Sequence, residues 1–454
     1  MKHIWLSLSK TDIETERRQC EEEGRDLASV TAEFERVLAL DLSDPASQSA
    51  AESLLDATVR LPLRAGFAFD EPSDLEAIRA ARPSDRPALP ALALSEPELA
   101  DRLYGAWAGR CCGCLLGKPV EGWRRDRMWG YLKDLGRWPL SDYFRYDAAT
   151  PEAREKYQMR DASAGGTFVD LVDAMPEDDD TNYTTTGLAI LKRYGPAFTP
   201  ADVATFWLNN IPILRTCTAE RVAYRNLCLL VPPPASAAHR NPYREWIGAQ
   251  IRADFWGYAA PGNPELAAEF AWRDASISHV KNGIYGEMWA AAMTAAAFVT
   301  PDIPTIIRAG LAEIPAKSRL ADAIESVLEW HELEIDYDTA SYRVHEMWKE
   351  DRAHDWCHTI SNAMIVAIGL LWGERDYGKS ICRAVQTCFD TDCNGATVGS
   401  ILGILHGRAA LPARWIDPIH DTLHTGVAGY HTVKLADLAR ETAEIVKTVA
   451  AAVL

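Results

Sequence analysis

The sequence lacks any long hydrophobic run. Its most apolar long stretch, Met288–Val299, covers about 12 residues, whereas a membrane-spanning helix needs about 20. The opening segment MKHIWLSLSKTDIETERR has a short apolar run that is followed at once by charges, which is unlike a secretory signal peptide. We therefore expect a cytoplasmic protein with no membrane partner.

Positive charge is also scarce. The chain of 454 residues carries 47 lysines and arginines against 65 aspartates and glutamates, which gives a net charge of -18. A surface of this sign repels phosphate backbones and anionic headgroups at long range, so no nucleic acid partner is expected. A local basic pocket for a small phosphate-bearing substrate is still compatible with this balance.

The ten cysteines lack the spacing of a disulfide scaffold, which predicts reduced thiols. What the sequence does contain is helical periodicity. From residue 96 to about residue 450, Ala-, Leu- and Trp-rich stretches place apolar residues at i, i+3, i+4 and i+7. No series of short alternating strands is visible. The prediction is an all-α fold.

The composition changes near residue 95. Residues 1–95 are polar and helix-prone, with Ser9 or Thr11 as the N-cap of a first helix and prolines near their end. We predict that they form a helical N-terminal extension and linker, and that residues 96–454 form a catalytic domain with a cap-like insert at about 215–260. The extension either packs over the helical bundle or serves as an interaction arm.

Two acidic turns carry the candidate chemistry. Glu177–Thr184 precedes the apolar helix GLAILKRYG, and Phe389–Asn394 precedes the small-residue helix GATVGSILGILHG. The first turn is equally explained as a charged helix N-terminus, where the helix dipole relieves repulsion. The second places carboxylates in apolar surroundings, where a hard divalent cation would compensate their charge. If the two helices pack side by side, the turns form one metal site or two adjacent ones.

Two further segments contain candidate site residues. In GAWAGRCCGCLLGKPVEGW, residues 105–123, glycines recur every fourth residue, which predicts close helix–helix packing rather than a dinucleotide loop. Glu121 follows this helix as a candidate general base or as a surface glutamate. In DASISHVKNGIYGEMWAAAM, residues 274–293, His279 and Asn282 precede a small-residue helix and either line a pocket or have structural roles.

These four segments, in this order, resemble the ADP-ribosylglycohydrolase family over about residues 101–438. The residues that match its motifs are Gly105, Ala106, Gly109, Gly113, Gly117, Pro119 and Glu121, then Asp178, Asp179, Asp180, Thr181 and Thr184, then His279, Gly283 and Gly286, and finally Asp390, Thr391, Asp392 and Cys393.

The resemblance implies an all-α orthogonal multi-helix bundle that holds two Mg²⁺ or Mn²⁺ ions. It also implies a glycosidase that cleaves an N- or O-glycosidic bond at the anomeric carbon of a ribose. The substrate would be a small ribosyl or ADP-ribosyl molecule, a nucleotide or nucleoside, or an ADP-ribosylated protein. The alternative is a protein of the same fold that binds ADP-ribose or a nucleotide without cleaving it.

The resemblance also implies roles for particular residues. The catalytic residues would be Glu121, Asp179 and Asp392. The metal ligands would be Asp178, Asp179, Asp180, Asp390, Asp392 and Cys393. The substrate-binding residues would be Asn182, Tyr183, His279, Asn282, Gly283 and Asn394.

Three positions depart from the family pattern. Asp178 and Cys393 replace threonines, and Cys114 replaces an aspartate. Aspartate is also an oxygen ligand, but a thiol is a soft ligand that suits Mg²⁺ poorly. These changes favour a small nucleoside or nucleotide over an ADP-ribosylated protein. In the insert, Arg, Tyr and Trp side chains either bind a base and a phosphate or belong to a helical cap; they are Tyr224, Arg225, Asn226, Arg244, Trp246, Arg252 and Trp256.

Overall fold

The N-terminal extension is helical in the computed structural model, which describes residues 3–453. Its helices are α1 (Lys10–Glu22), α2 (Thr31–Leu38), α3 (Pro45–Thr58) and α4 (Leu75–Ala81). The cap of α1 is Ser9, because its side chain accepts a hydrogen bond from the Asp12 N–H while the Asp12 carboxylate accepts one from the Ser9 N–H. Apolar side chains of α1, α2 and α3 form a small core of their own, which includes Ile13, Phe34 and Leu54.

The rest of the chain is a large helical bundle. Its helices are α5 (Glu96–Gly117), α6 (Arg125–Asp134), α7 (Pro151–Lys156), α8 (Asp179–Tyr194), α9 (Pro200–Asn210), α10 (Thr218–Cys228), α11 (Ala235–Ala238), α12 (Asp254–Ala259), α13 (Pro264–Ala275), α14 (Asn282–Ala296), α15 (Ile303–Leu311), α16 (Arg319–Glu332), α17 (Tyr337–Met347), α18 (Ala353–Cys357), α19 (Thr359–Leu371), α20 (Tyr377–Gln386), α21 (Thr391–His406), α22 (Ala413–Ile416) and α23 (Leu435–Val453). Short 3₁₀ turns cover Lys118–Val120, Ala162–Ala164, Val169–Leu171, Ile213–Arg215, Gln250–Arg252, Arg408–Ala410 and Asp417–Ile419.

The bundle also contains one short antiparallel hairpin, formed by β1 (Thr422–His424) and β2 (Thr432–Lys434). Strands of three residues are too short to produce a detectable alternation in the sequence, and the all-α prediction is otherwise confirmed. Among the described residues, no helix combines the length and the apolar character that crossing a membrane requires.

The centre of the bundle is an antiparallel pair of helices, α5 and α21, whose backbones touch. A Cβ atom on Gly109 would lie 2.2 Å from the Gly399 carbonyl oxygen, and one on Gly113 would lie 2.0 Å from that of Gly395. Such distances allow no side chain, so the glycines at every fourth position are required by close packing, as the sequence predicts. The pairing fixes which ends of the two helices meet.

The meeting ends are the C-terminus of α5 and the N-terminus of α21. The Thr391 hydroxyl donates a hydrogen bond to the Gly117 carbonyl oxygen over 2.9 Å. Lys118 and Glu121, which follow α5, therefore lie beside Asp392 in the first turn of α21. This helix pair brings the third sequence segment to the second acidic turn.

The N-terminal extension is bound to the bundle through buried ion pairs. Glu16 and Glu23 of the extension each contact the Arg244 guanidinium at 2.6 Å. Glu23 also accepts from the Lys281 ammonium at 3.0 Å, and Gln19 donates to Glu245 at 2.7 Å. The extension therefore packs over the bundle, which is one of the two arrangements considered from the sequence.

Candidate active site

The two acidic turns, separated by about 210 residues in the sequence, meet in space. Potential ligand atoms of Cys114, Asp178, Asp180 and Asp392 all lie within 4.8 Å of one another. A second group of this kind shares Asp392 and is completed by Asp390 and Cys393. The N-termini of α8 and α21 therefore lie side by side, as the prediction of one site from the two turns requires.

Local helix capping explains how each turn presents its carboxylates. Asp178 is the N-cap of α8 and accepts the Asp180 N–H over 2.9 Å, so one of its oxygens is used by the helix. Asp390 is at the N-cap position of α21 but caps nothing with its side chain. Its N–H donates to the Asn362 side-chain oxygen over 3.1 Å, and its carboxylate faces the site.

Two basic side chains lie beside the acidic turns, and the sequence patterns did not point to either of them. The Lys118 ammonium donates to Asp178. Arg110, fully buried in α5, contacts Asp180 at 3.0 Å and Asp254 at 2.7 Å. For Arg110, the available signal was a charged residue among the small and apolar residues of α5, since such a group is almost never buried without a partner.

These cations do not satisfy every acidic oxygen. Asp180 Oδ2 and Asp392 Oδ1 are buried and have no hydrogen-bond partner among the described residues. Burial, and next the charge of Asp178, raises the pKa of Asp179 to about 8 and that of Asp392 to about 6. The cluster therefore consists of buried carboxylates that repel one another, and some of their oxygens have no partner. Such oxygens are the ligands that a hard divalent cation prefers.

The two cysteines of the site contribute differently. Burial, and next the neighbouring carboxylates, raises the pKa of both the Cys114 and the Cys393 thiol well above its usual range. Both side chains are therefore neutral thiols, which are weak donors and poor ligands of Mg²⁺. The carboxylates, rather than the thiols, supply the ligand atoms suited to such an ion.

A cavity of about 540 Å³ opens onto the acidic turns. Glu121 is exposed to it, and the charge of Asp392, followed by burial, raises the pKa of the Glu121 carboxyl well above its usual range. Asp178, Asp179 and Asp392 also line the cavity. A water or a small substrate in this space can therefore reach a potential general base and the carboxylate cluster together.

The N-terminal extension forms one wall of the same cavity. Trp5, Thr11 and Asp12 are among its lining residues, and the Tyr243 hydroxyl donates to Asp12. Nothing in the sequence patterns indicated this wall, because it depends on how the extension docks. Residues that precede the bundle therefore form part of the site.

The residues predicted around His279 are not at the cavity. His279 is fully buried, and burial, followed by the charge of Arg252, lowers the pKa of its imidazole well below the usual value. Asn282 donates to Glu71 over 2.7 Å. A Cβ on Gly283 would lie 2.7 Å from a backbone oxygen, so this glycine allows close packing. None of these three residues lines the cavity.

The other three predicted substrate-binding residues also lie outside the cavity lining. Tyr183 is buried under the Arg252 guanidinium, 5.4 Å from its ring centroid. Asn182 accepts a backbone N–H from the loop between β1 and β2, and Asn394 donates to Asn362 over 2.8 Å. None of the three lines the cavity where a substrate would bind.

The arginines of the insert are also engaged by protein groups. Arg252 contacts Asp274 at 2.5 Å and Glu220 at 3.2 Å, and Arg244 binds the extension as described above. Arg225 donates to Asn226. Of the seven base- and phosphate-binding candidates in this segment, only Trp246 lines the cavity. The helical-cap interpretation therefore fits the insert better than phosphate binding does.

Comparison with known proteins gives a family for most of the chain. The model of the ADP-ribosylglycohydrolase family matches residues 95–449. Among solved structures, an ADP-ribosylglycohydrolase-related protein complex aligns with 18% sequence identity and a TM-score of 0.46, covering 78% of this chain and 99% of that chain. No curated protein matches the sequence.

Proposed function

Because the chain belongs to the ADP-ribosylglycohydrolase family, we propose that it is a metal-dependent glycosidase acting at the anomeric carbon of a ribose. The observation that carries this proposal is the convergence of both acidic turns and Glu121 on one cavity. A structural role for these carboxylates would leave their unpartnered oxygens unexplained, since buried polar groups are normally satisfied.

We propose that Asp178, Asp179, Asp180, Asp390 and Asp392 hold Mg²⁺ or Mn²⁺. The two groups of ligand atoms, which share Asp392, would accommodate two ions. The Lys118 ammonium competes for Asp178, so the ion bound there is expected to be the weaker of the two. As neutral thiols, Cys393 and Cys114 would stay outside direct coordination.

When bound, the divalent cations would fix the ribose hydroxyls and stabilise charge that develops during cleavage. With a cation offsetting the charge of Asp392, Glu121 would be ionised and would accept a proton from the attacking water, whose oxygen forms the new bond to the anomeric carbon. The glycosidic bond breaks with its electron pair leaving on the departing group, which then takes up a proton. The aromatic side chains of the cavity would orient that group through ring contacts.

The direct test is a hydrolysis screen of the purified protein with nucleosides, NAD, ADP-ribose and ADP-ribosylated peptides. Release of free ribose or base would be measured with Mg²⁺, with Mn²⁺ and with EDTA. We expect metal-dependent release that is lost in Asp179→Asn and Glu121→Gln and kept in Glu14→Gln, an exposed carboxylate of α1 outside the cavity lining. Release that persists unchanged in EDTA, or in both site variants, would contradict the proposal.

A further inference from the structure

A second cavity adjoins the first one at Lys118 and Glu121, which line both spaces. Its volume of about 460 Å³ lies within the range of small-molecule sites. The rest of its lining comes from the residues that directly follow Glu121, from Arg127 in α6 and from the loop after α7. A substrate whose anomeric carbon lies at Glu121 can therefore extend into the second cavity as well as into the first.

The charge of the second cavity is opposite to that of the acidic turns. Its basic lining residues are Lys118, Arg127 and Arg160, and Glu121 is the only carboxylate of this lining among the described residues. The Lys118 ammonium already donates to Asp178, and the pKa of the Glu121 carboxyl is raised as described above. In a protein with a net charge of -18, the two arginines therefore create a local excess of positive charge.

The Arg127 guanidinium is held in place by neutral groups. Its Nε donates to the Tyr157 carbonyl oxygen over 3.0 Å, and its Nη2 donates to that of Gln158 over 3.1 Å. The guanidinium also lies over the Trp123 ring, 4.0 Å from the ring centroid. None of these partners carries a charge, and Nη1 has no acceptor among residues 3–453. The side chain is therefore oriented, but its charge is not paired.

Arg160 adds a second unpaired cation. Its side chain is exposed and has no ion pair or hydrogen bond within the described part of the chain. The neighbouring Asp161 carboxylate is used by its own loop, where it accepts from the Ser163 hydroxyl over 2.7 Å and from the Ala164 N–H over 3.0 Å. Burial, and next the charge of Arg160, lowers the pKa of the Arg127 side chain. Two cations in one cavity without a paired carboxylate suit an anionic ligand.

We propose that the second cavity is an anion subsite, in which Arg127 and Arg160 bind a phosphate group of the substrate. The forked guanidinium matches two phosphate oxygens, and two arginines offset both charges of a phosphate. Gln158 and Thr167, which also line the cavity, supply neutral hydrogen-bond donors. This inference rests on the proposed glycosidase function and adds a subsite to it. The phosphate belongs to the ribose side of the substrate or to its leaving group, and the test has one arm for each.

The main test variant is Arg127→Gln with Arg160→Gln, which removes both cations of the subsite. Its matched control is Arg145→Gln with Lys156→Gln. These two side chains are exposed, lie in the same part of the sequence and are outside both cavity linings, so the net charge changes equally. Arg160→Gln alone is the second variant. Because the Arg160 side chain has no partner in the protein, its replacement should leave the fold intact.

The kinetic measurement uses pairs of substrates that differ by one phosphate. In the ribose arm, nicotinamide mononucleotide is compared with nicotinamide riboside. In the leaving-group arm, one ADP-ribosylated peptide carries either phosphoserine or serine beside the modified residue. The ratio of kcat/KM for the phosphorylated to the unphosphorylated substrate is determined with Mg²⁺ or Mn²⁺ for each variant.

We expect this ratio to fall by at least about tenfold in the double arginine variant, since hydrogen bonds to charged groups contribute this much to affinity. A smaller fall, of about threefold, is expected for Arg160→Gln, and no change for the matched control. The arm in which the ratio falls identifies the part of the substrate that carries the phosphate.

A second measurement needs no catalysis. Inorganic pyrophosphate is titrated into the metal-free protein by calorimetry, so that no cation at the acidic turns holds the anion. We expect the double arginine variant to lose at least about tenfold in affinity, and the matched control to bind as the wild type does.

The outcomes separate this inference from the proposed function. A constant ratio in both arms, or hydrolysis of the unphosphorylated substrates alone, would overturn the inference and leave the glycosidase in place. An equal fall in the matched control would also overturn it, because the effect would then come from net charge at long range. If no substrate is hydrolysed, the glycosidase is contradicted, and the pyrophosphate titration alone decides whether the cavity binds anions.

Discussion

Two regions of the molecule bury many charged side chains, and they do so in opposite ways. Where the N-terminal extension docks, Arg244 lies between Glu16 and Glu23, and each contact is 2.6 Å. At the acidic turns, carboxylates outnumber cations, and Asp392 Oδ1 has no partner among the described residues. Balanced opposite charges indicate a structural interface, whereas an excess of one charge indicates a site that expects a ligand of opposite charge.

A third cluster shows why composition alone does not make this distinction. Glu22, His354 and His358 place potential ligand atoms within 4.8 Å of one another. However, the Trp246 indole N–H donates to His354 Nδ1, and the Ile360 N–H donates to His358 Nδ1, both over 3.1 Å. Each neutral imidazole therefore carries its proton on Nε2. His354 Nε2 donates to Glu22 over 3.0 Å and His358 Nε2 lies 3.5 Å from the same carboxylate, so neither nitrogen offers a lone pair to a metal.

The first prediction concerns the interface between the extension and the bundle, where the buried charges are paired. Arg244→Leu leaves Glu16 and Glu23 buried without their main cation, and we expect the free energy of unfolding to fall by about 3–5 kcal/mol. Urea unfolding followed by fluorescence measures this loss. The double variant Arg244→Leu with Glu16→Leu should recover part of it, because one of the unpaired charges is then removed. A loss below about 1 kcal/mol would show that the interface does not depend on this pairing.

The second prediction addresses the unpaired region. Asp392→Asn removes a buried charge among like charges, so the metal-free protein should be as stable as the wild type or more stable. Activity should fall by at least about a thousandfold, equal to about 4 kcal/mol. Urea unfolding in EDTA and steady-state kinetics measure the two effects. A large loss of stability would mean that Asp392 is structural, as the glutamates at the docking interface are.

The third prediction tests whether a metal ion binds at the acidic turns or at the histidine cluster. Mn²⁺ or Mg²⁺ at a hundred times its Kd should raise the free energy of unfolding by about 2.7 kcal/mol. The increase should disappear in Asp392→Asn and persist in Glu22→Gln. Thermal or urea unfolding with and without the metal provides the measurement. An increase that instead depends on Glu22 would place the ion at the histidines.

The smallest effect is expected for an exposed pair on the extension. Arg17 contacts Glu35 at 2.8 Å, and 63% of the Glu35 side chain is exposed. Glu35→Gln should lower the free energy of unfolding by less than about 1 kcal/mol, because water screens the interaction. This variant is the surface control for Arg244→Leu, measured under the same conditions. A comparable loss in both would remove burial as the explanation.

Sequence patterns predicted a large part of the arrangement. The four-residue spacing of glycines predicted close helix packing along α5, and the two acidic turns were predicted to form one site if their helices pack side by side. The patterns failed where side-chain partners decide the role. His279 and Asn282 were expected at the substrate, yet neither lines the cavity, and the Glu71 carboxylate accepts from Asn282. A polar residue before a small-residue helix has the same sequence appearance in either role.

By itself, the sequence determined the helical class, the family and the residue types available for chemistry, because periodicity and motif spacing are local properties. Only the tertiary structure decided which charges are paired. The glycine contact between α5 and α21 brings Lys118 to the acidic turns, and the docked extension pairs its glutamates with Arg244 and Lys281. Coulomb energies depend on distance and burial, and neither can be read from the order of residues in the chain.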